Sequence, residues 1–266
     1  MATIEDEAIP VQVSRRSVLK WMSIGTGSAL AAAGAGIGVR GAVNGAFTAG
    51  SGASYGLWHD WAALTGVDRV VAAGVLACNP HNTQPWRIGR GADVIEIHSD
   101  PARRMPVNDA ADREHFAGLG CAVENTVVAA GSAGFAAAVT LFPDGPAADV
   151  VARIGLTPLD GRPDPDGDLA RAIPLRHTNR GPYTAGPVDT ALIEASASRI
   201  DGAGLTWVTD RAAMGRLGAL YVEATRAIVA DRAQSEEAFS WFRNDRADID
   251  RHRDGLTLDC QGLDRV

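Results

Sequence analysis

Lysine is almost missing from this chain: of its 25 Lys and Arg residues, Lys20 is the single lysine. Lys20 sits in an N-terminal leader, so a processed form would have no lysine for a Schiff base and none for a Walker-type phosphate loop. Cysteine is nearly as scarce. Cys78, Cys121 and Cys260 are odd in number and widely spaced, which excludes a disulfide framework and leaves room for one bridge at most. Excess positive charge is missing too. A formal net charge of −7 and a pI near 5.3 argue against a nucleic-acid partner. Neither a Gly-x-Ser-x-Gly elbow nor a His-Glu-x-x-His helix occurs, so hydrolase chemistry has no support. Cys78 and His81 have C-x-x-H spacing, but no second ligand pair follows, and no metal is expected. An EF-hand loop starting at Asp164 would need a Glu where Leu175 stands, which leaves a solvated turn.

What is present begins with the leader. Ser14-Arg15-Arg16-Ser17-Val18-Leu19-Lys20, followed by a weakly hydrophobic Gly- and Ala-rich run over 21–39, matches a twin-arginine export signal, with Val18 where Phe is usual. Residues 1–46 are therefore expected to be the signal and the start of a linker. Export through the twin-arginine translocation machinery to a periplasmic or extracytoplasmic site follows, with anchoring by an uncleaved leader as the alternative. Gly36-Ile37-Gly38-Val39-Arg40-Gly41 spells G-x-G-x-x-G, but it follows the helical signal core and precedes a Gly/Ser-rich linker. It therefore lacks the strand and helix that a dinucleotide site requires.

Beyond the linker, 46% hydrophobic content over 266 residues is enough for a real core. Periodicity predicts a helix over 67–77, paired strands over 86–88 and 94–98, and a helix over 111–131 with Phe116, Leu119, Val123 and Val127 as its stripe. Gly131 and Gly134 should stop that helix. Strands over 135–142 and 150–156 should pair. A Pro-, Gly- and Asp-rich turn over 160–168 divides the chain. The second part predicts a helix over 187–198, a strand over 205–208 and a long helix over 211–233, whose stripe of Met214, Leu217, Tyr221 and Ile228 reads as core packing.

Two polar motifs carry the chemistry. In Arg176-His177-Thr178-Asn179-Arg180, an extended backbone would aim Arg176, Thr178 and Arg180 to one side, and two guanidinium forks with a hydroxyl suit a phosphate. In His81-Asn82-Thr83-Gln84-Pro85-Trp86, the carboxamides of Asn82 and Gln84 pair donor with acceptor and can meet the N–C=O edges of a flavin ring.

The pair resembles the nitroreductase family of FMN-dependent oxidoreductases, from about Trp58 to the C-terminus, including Asp254-Gly255-Leu256-Thr257-Leu258. The order of the motifs is reversed from ordinary members and resembles the tandem, Acg-like branch, in which two fused halves form an internal pseudo-dimer. Cys78 and Asn79 stand where the family usually has Pro-Ser. The resemblance implies an α+β fold, with a first nitroreductase-like half over 57–160 and a second, incomplete half over 165–266, since the chain stops soon after the Asp-Gly-Leu segment. It implies a monomer that binds FMN through Asn82, Gln84, Arg176, Thr178 and Arg180, takes hydride from NAD(P)H, and passes electrons to a nitroaromatic, quinone or similar small acceptor. The flavin carries that chemistry, so no side chain is assigned a catalytic role. Any cation beside it must be arginine. Twin-arginine export, which carries folded proteins, suits a chain that takes up its cofactor first. The alternative is an FMN storage or sequestration protein without turnover, decided by whether the segment with Trp241, Phe242 and His252 closes over the flavin face.

Overall fold

The computed structural model describes residues 50–161, 167–180, 183, 186, 188–198, 200, 204–243 and 245–257. The twin-arginine leader with Arg15, Arg16 and Lys20, the glycine motif at 36–41, most of the expected dividing turn, Pro187 and Cys260 lie outside the described residues.

Helices α1 (Gly56–Asp60) and α2 (Gly66–Val75) lead into the strand pair β1 (Trp86–Arg90) and β2 (Val94–Ser99), followed by the long helix α3 (Arg113–Ser132). Strands β3 (Phe135–Leu141) and β4 (Val150–Pro158) complete a four-stranded antiparallel sheet in the order β1-β2-β4-β3. All these strands come from the first part of the chain, and both expected strand pairs are present. Among the described residues, the second part contributes helices only: α4 (Gly167–Ala172), α5 (Thr190–Ala197), α6 (Arg211–Ala230), α7 (Arg232–Ser240) and α8 (Arg246–His252). The mixed α+β class is as expected.

The core lies between the sheet and the pair α2 and α3. Strand alternation puts Ile95 and Ile97 of β2 on one face, beside Ile154 and Leu156 of β4, where they pack with Val70 and Leu119. Small residues let α2 approach α3. A Cβ at Gly74 would stand 2.7 Å from Thr126 Oγ1, and Asn125 Nδ2 donates to the Ala73 carbonyl at 3.0 Å. Helix α3 ends at Ala133, with Gly134 at φ +87 supplying the left-handed turn.

Four expectations need correction. The buried face of α3 is His115, Gly118, Leu119, Ala122, Thr126, Ala129 and Ala130; of the predicted stripe Leu119 lies on it and Val123 packs beside it, but Phe116 is 39% exposed. Small residues rather than large ones face α2, because close helix contact needs them. No strand forms over 205–208. Those residues are irregular and exposed, with no partner strand beside them among the described residues. The predicted 211–233 helix ends at Ala230 because Asp231 leaves helical geometry (φ −82, ψ 113) and caps α7 by accepting from Gln234 N at 3.1 Å. The α6 stripe is not core: Met214, Leu217, Tyr221 and Ile228 are all exposed, Tyr221 at 67%.

Candidate functional site

The segment between α2 and β1 is wound tightly. Pro80–Asn82 makes a 3-10 turn, and His81, Asn82 and Gln84 all have left-handed backbones, with φ of 48, 52 and 51. Each such non-glycine residue costs on the order of 1–3 kcal/mol, and strain of this kind persists only where its surroundings impose it. Here they do. Asn79 Oδ1 accepts from Gln84 N at 2.7 Å, Thr83 N donates to the Pro80 carbonyl at 2.9 Å, and Thr83 is fully buried. The loop lies against α3 at Gly118, where a Cβ would stand 3.0 Å from Asn79 Cβ and 3.3 Å from both Pro80 Cδ and Pro85 Cγ. Gly118 is what admits it.

A second left-handed segment sits on the first. Arg253 (φ 52) and Gly255 (φ 80) follow α8, and Gly255 is required because a Cβ there would collide with the Trp241 carbonyl. Asn82 Nδ2 donates to the Gly255 carbonyl at 3.2 Å, Gly255 N returns a bond to the Asn82 carbonyl at 3.0 Å, and Gln84 Nε2 donates to the Arg253 carbonyl at 2.5 Å. Between them Asp254 is almost buried. Its carboxylate accepts from Arg103 Nη1 at 3.0 Å and from Arg243 Nη2 at 2.7 Å, while Arg103 Nη1 also donates to the Thr83 carbonyl at 2.7 Å. Trp241 to Arg243 pair with Gly255 and Leu256 through Leu256 N to the Trp241 carbonyl and Arg243 N to the Leu256 carbonyl, both 2.8 Å. Helix α7 is tied to the same region, since Glu237 accepts from Asn108 N at 2.7 Å and from Asn108 Nδ2 at 2.8 Å.

The arginine motif follows α4 and its terminal turn. Arg176 N donates to the Ala172 carbonyl at 2.9 Å, and its guanidinium lies 5.7 Å from the Trp58 ring centroid. Residues 176–180 are exposed and irregular rather than a strand, so the alternation argument does not describe them, although Arg176 itself is extended. Electrostatics links this motif to the loop. His81 is held below its ordinary pKa by burial and then by the positive charge of Arg180, against weaker opposing effects of Glu114 and Glu237. Arg176 acts in turn on Cys121 of α3. The charge of Arg180 thus acts on His81 of the loop, and that of Arg176 on Cys121 of α3.

The five expected ligand residues thus fall into two groups. Asn82 and Gln84 each spend one amide N–H on the 253–255 segment. Each still carries a second N–H and a carbonyl oxygen with two lone pairs. Arg176, Thr178 and Arg180 are exposed, on chemistry that suits a phosphate. Residue-type reasoning did not find the Arg103–Asp254–Arg243 cluster or the part played by His81. The only available signals were the charge flanking Asp254-Gly255 and the Asn-Pro step at 79–80.

The fold and these motifs define an α+β protein with a strained carboxamide loop in its first part and an exposed arginine motif in its second. No family model matches the chain. It is similar to "Putative NAD(P)H nitroreductase Rv3131" of Mycobacterium tuberculosis strain H37Rv, 35% identical over 179 residues, covering 66% of this chain and 50% of the relative. It is also similar to "Putative NAD(P)H nitroreductase acg" of the same strain, 33% identical over 131 residues, covering 48% of this chain and 39% of the relative. A further relative, "Uncharacterized protein Rv3127", is 28% identical over 118 residues. The matched part of the chain spans half the length of the first of these relatives and less of the others.

Proposed function

We propose that this chain is an FMN-dependent NAD(P)H oxidoreductase of nitroreductase type. The observation that carries the reading is the carboxamide loop, in which a strained turn and the 253–255 segment hold Asn82 and Gln84, and the charge of Arg180 acting on His81 supports adding the arginine motif to it. FMN has one dianionic end and one flat heteroaromatic end. The exposed Arg176, Thr178 and Arg180 fit the first, and the unspent amide atoms of Asn82 and Gln84 fit the second. Names of two relatives carry the same activity.

Bound FMN would supply acceptance of hydride from NAD(P)H and delivery of electrons to a nitroaromatic, quinone or similar acceptor. The chain's own residues bind and orient. Arg176 and Arg180 neutralise the phosphate, Thr178 donates one neutral hydrogen bond, and Asn82 and Gln84 fix the ring edge on a loop whose conformation is already set by Asn79 and Gly118. His81 stays neutral at neutral pH, so it adds no charge of its own beside the phosphate site.

The test is FMN titration of the purified chain. Charge-assisted hydrogen bonds contribute about 1.5–3 kcal/mol each, so Arg176→Ala or Arg180→Ala should weaken FMN binding about tenfold or more. Unchanged affinity in the double variant would sink the assignment. Anaerobic addition of NADPH then separates turnover from storage. Trp241 and Phe242 pair with the segment lying on Asn82, so if they also block the nicotinamide, bound FMN will keep its visible absorption and the sequestration reading takes over.

We also propose export by the twin-arginine route, read from Arg15 and Arg16. Replacing both with Lys keeps the charge and should strand the protein in the cytoplasm on cell fractionation, and continued export would refute the route.

A further inference from the structure

Cys78 and Cys121 stand outside every role described so far. Both are free thiols, and their Sγ atoms lie 3.4 Å apart, against a disulfide bond length of about 2.05 Å. Their proximity is built in. Cys78 lies in the irregular backbone between α2 and the Pro80–Asn82 turn, and the contact of Asn79 and Pro80 with Gly118 presses that backbone on α3 one turn before Cys121. One partner sits on helix α3 and the other on the segment that connects α2 to the Pro80–Asn82 turn, so the bond closes when the two sulfurs cover the remaining distance. Their exposures differ in a useful way: Cys78 is exposed, whereas Cys121 is half-buried.

We propose that Cys78 and Cys121 form a reversible disulfide by exchange with an external small-molecule disulfide, stapling the carboxamide loop to α3. The exposed Cys78 thiolate attacks one sulfur of the external disulfide, forming a mixed disulfide and releasing one thiol. Cys121 then gives up its proton and attacks Cys78 Sγ. The Cys78–Cys121 bond forms and the second external thiol leaves. Two protein thiols lose two electrons, and one external disulfide becomes two thiols. Burial, with the hydrogen bond to Cys78 second, pushes the Cys121 thiol up to about 11. Cys121 is thus protected from outside reagents yet adjacent to the one sulfur it must attack, and the Arg176 charge favours its thiolate at that moment.

The experiment uses glutathione disulfide as the probe on the full chain carrying Cys260→Ser, which removes the third thiol. Intact mass after alkylation should show both remaining thiols lost, two hydrogens gone and no glutathione retained. Peptide mapping should link the segments holding Cys78 and Cys121, and dithiothreitol should reverse the link. The oxidised form should melt about 5–10 °C above the reduced form, since the closed loop restricts the unfolded chain. With Cys121→Ser added, one glutathione should remain on Cys78; with Cys78→Ser added, none should attach. Glutathione that stays on Cys78 beside an unreacted Cys121, or two thiols that stay reduced, would overturn the proposal. Mapping of the unsubstituted chain tests the same link independently: a Cys78–Cys121 link supports the proposal, and links through Cys260 alone refute it.

Discussion

Helices α3 and α6 are each 20 residues long, each follows an aspartate and each is rich in alanine, yet they meet opposite fates. Seven residues of α3 are buried, while α6 buries none. Local helix signals do not explain this, since Asp210 caps the exposed α6 while Asp112 makes no side-chain cap on the buried α3. What separates them is the availability of a surface. Helix α3 packs on the sheet beside α2, where Ala73, Gly74 and Ala122 allow close approach, whereas α6 follows an exposed stretch that forms no strand. An apolar stripe reports what a helix could bury, and burial itself needs a second surface of matching shape.

The contrast breaks most severely at the tether between the two parts. Asp254 holds Arg103 from the first part and Arg243 from the second while almost inaccessible to solvent. Replacing it leaves two guanidinium groups facing each other without their shared anion. Asp254→Ala should cost about 3–5 kcal/mol in urea unfolding, the scale for breaking a buried pair. A loss below about 1 kcal/mol would mean that the tether is solvated and the two parts are held otherwise.

The next-largest effect sets the two regions directly against each other. Ile97 is fully buried in the sheet face, so Ile97→Ala should cost about 2–5 kcal/mol. Leu217 of α6 is exposed, and Leu217→Ala should stay within about 0.5 kcal/mol. Similar losses at the two sites, measured by denaturant midpoint at constant slope, would show that the α6 stripe is covered in solution.

Much of the first part was legible in the sequence. Both strand pairs and both of its main helices follow from apolar periodicity, because each element there buries one face in a common core. The α3 stripe was misjudged for a local reason. Phe116 looked like core by type but is exposed, while Val123 does pack against the core and the contact with α2 selects Ala122, Thr126 and Ala129 by size. In the second part the α6 stripe and the expected strand at 205–208 failed together, since both depend on non-local partners that local pattern does not encode. For the site, residue type pointed to Asn82, Gln84, Arg176, Thr178 and Arg180, and FMN titration is the test of that grouping. The left-handed backbone at His81 and Gln84 left no mark in the sequence.

A smaller effect sharpens the boundary between α6 and α7. Asp231 accepts from Gln234 N and Gln234 Nε2, which holds its carboxyl below the usual carboxylate range and makes the cap electrostatic as well as geometric. Asp231→Ala should lower both the denaturant midpoint and the helical circular-dichroism signal, as the loss of an N-cap does. No change in either reading would mean that the break is enforced by the packing of α7 through Glu237 instead.

The smallest effect joins the two parts through a proton. His81 is held below 6.5 by burial first and Arg180 second, and His115, buried and bonded to Ser99 Oγ at 2.8 Å, is lowered by burial first and Arg104 second. For a base with a depressed folded pKa, the unfolded chain binds more protons between the folded value and about 6.5. Stability is therefore fully present above that window and is lost as pH falls through it. His81→Asn, which tolerates the left-handed backbone, should flatten the slope without abolishing it, because His115 remains. The same histidine reports on the proposed ligand. A phosphate beside Arg180 would offset that positive charge and raise the His81 pKa, so binding FMN near pH 6.5 should take up more protons in the unsubstituted chain than in His81→Asn. Calorimetric titrations in two buffers of different ionisation enthalpy measure this difference and cancel the phosphate's own protons. Equal proton uptake in the two proteins would separate the phosphate from Arg180 and His81, and would remove the arginine motif from the proposed flavin site.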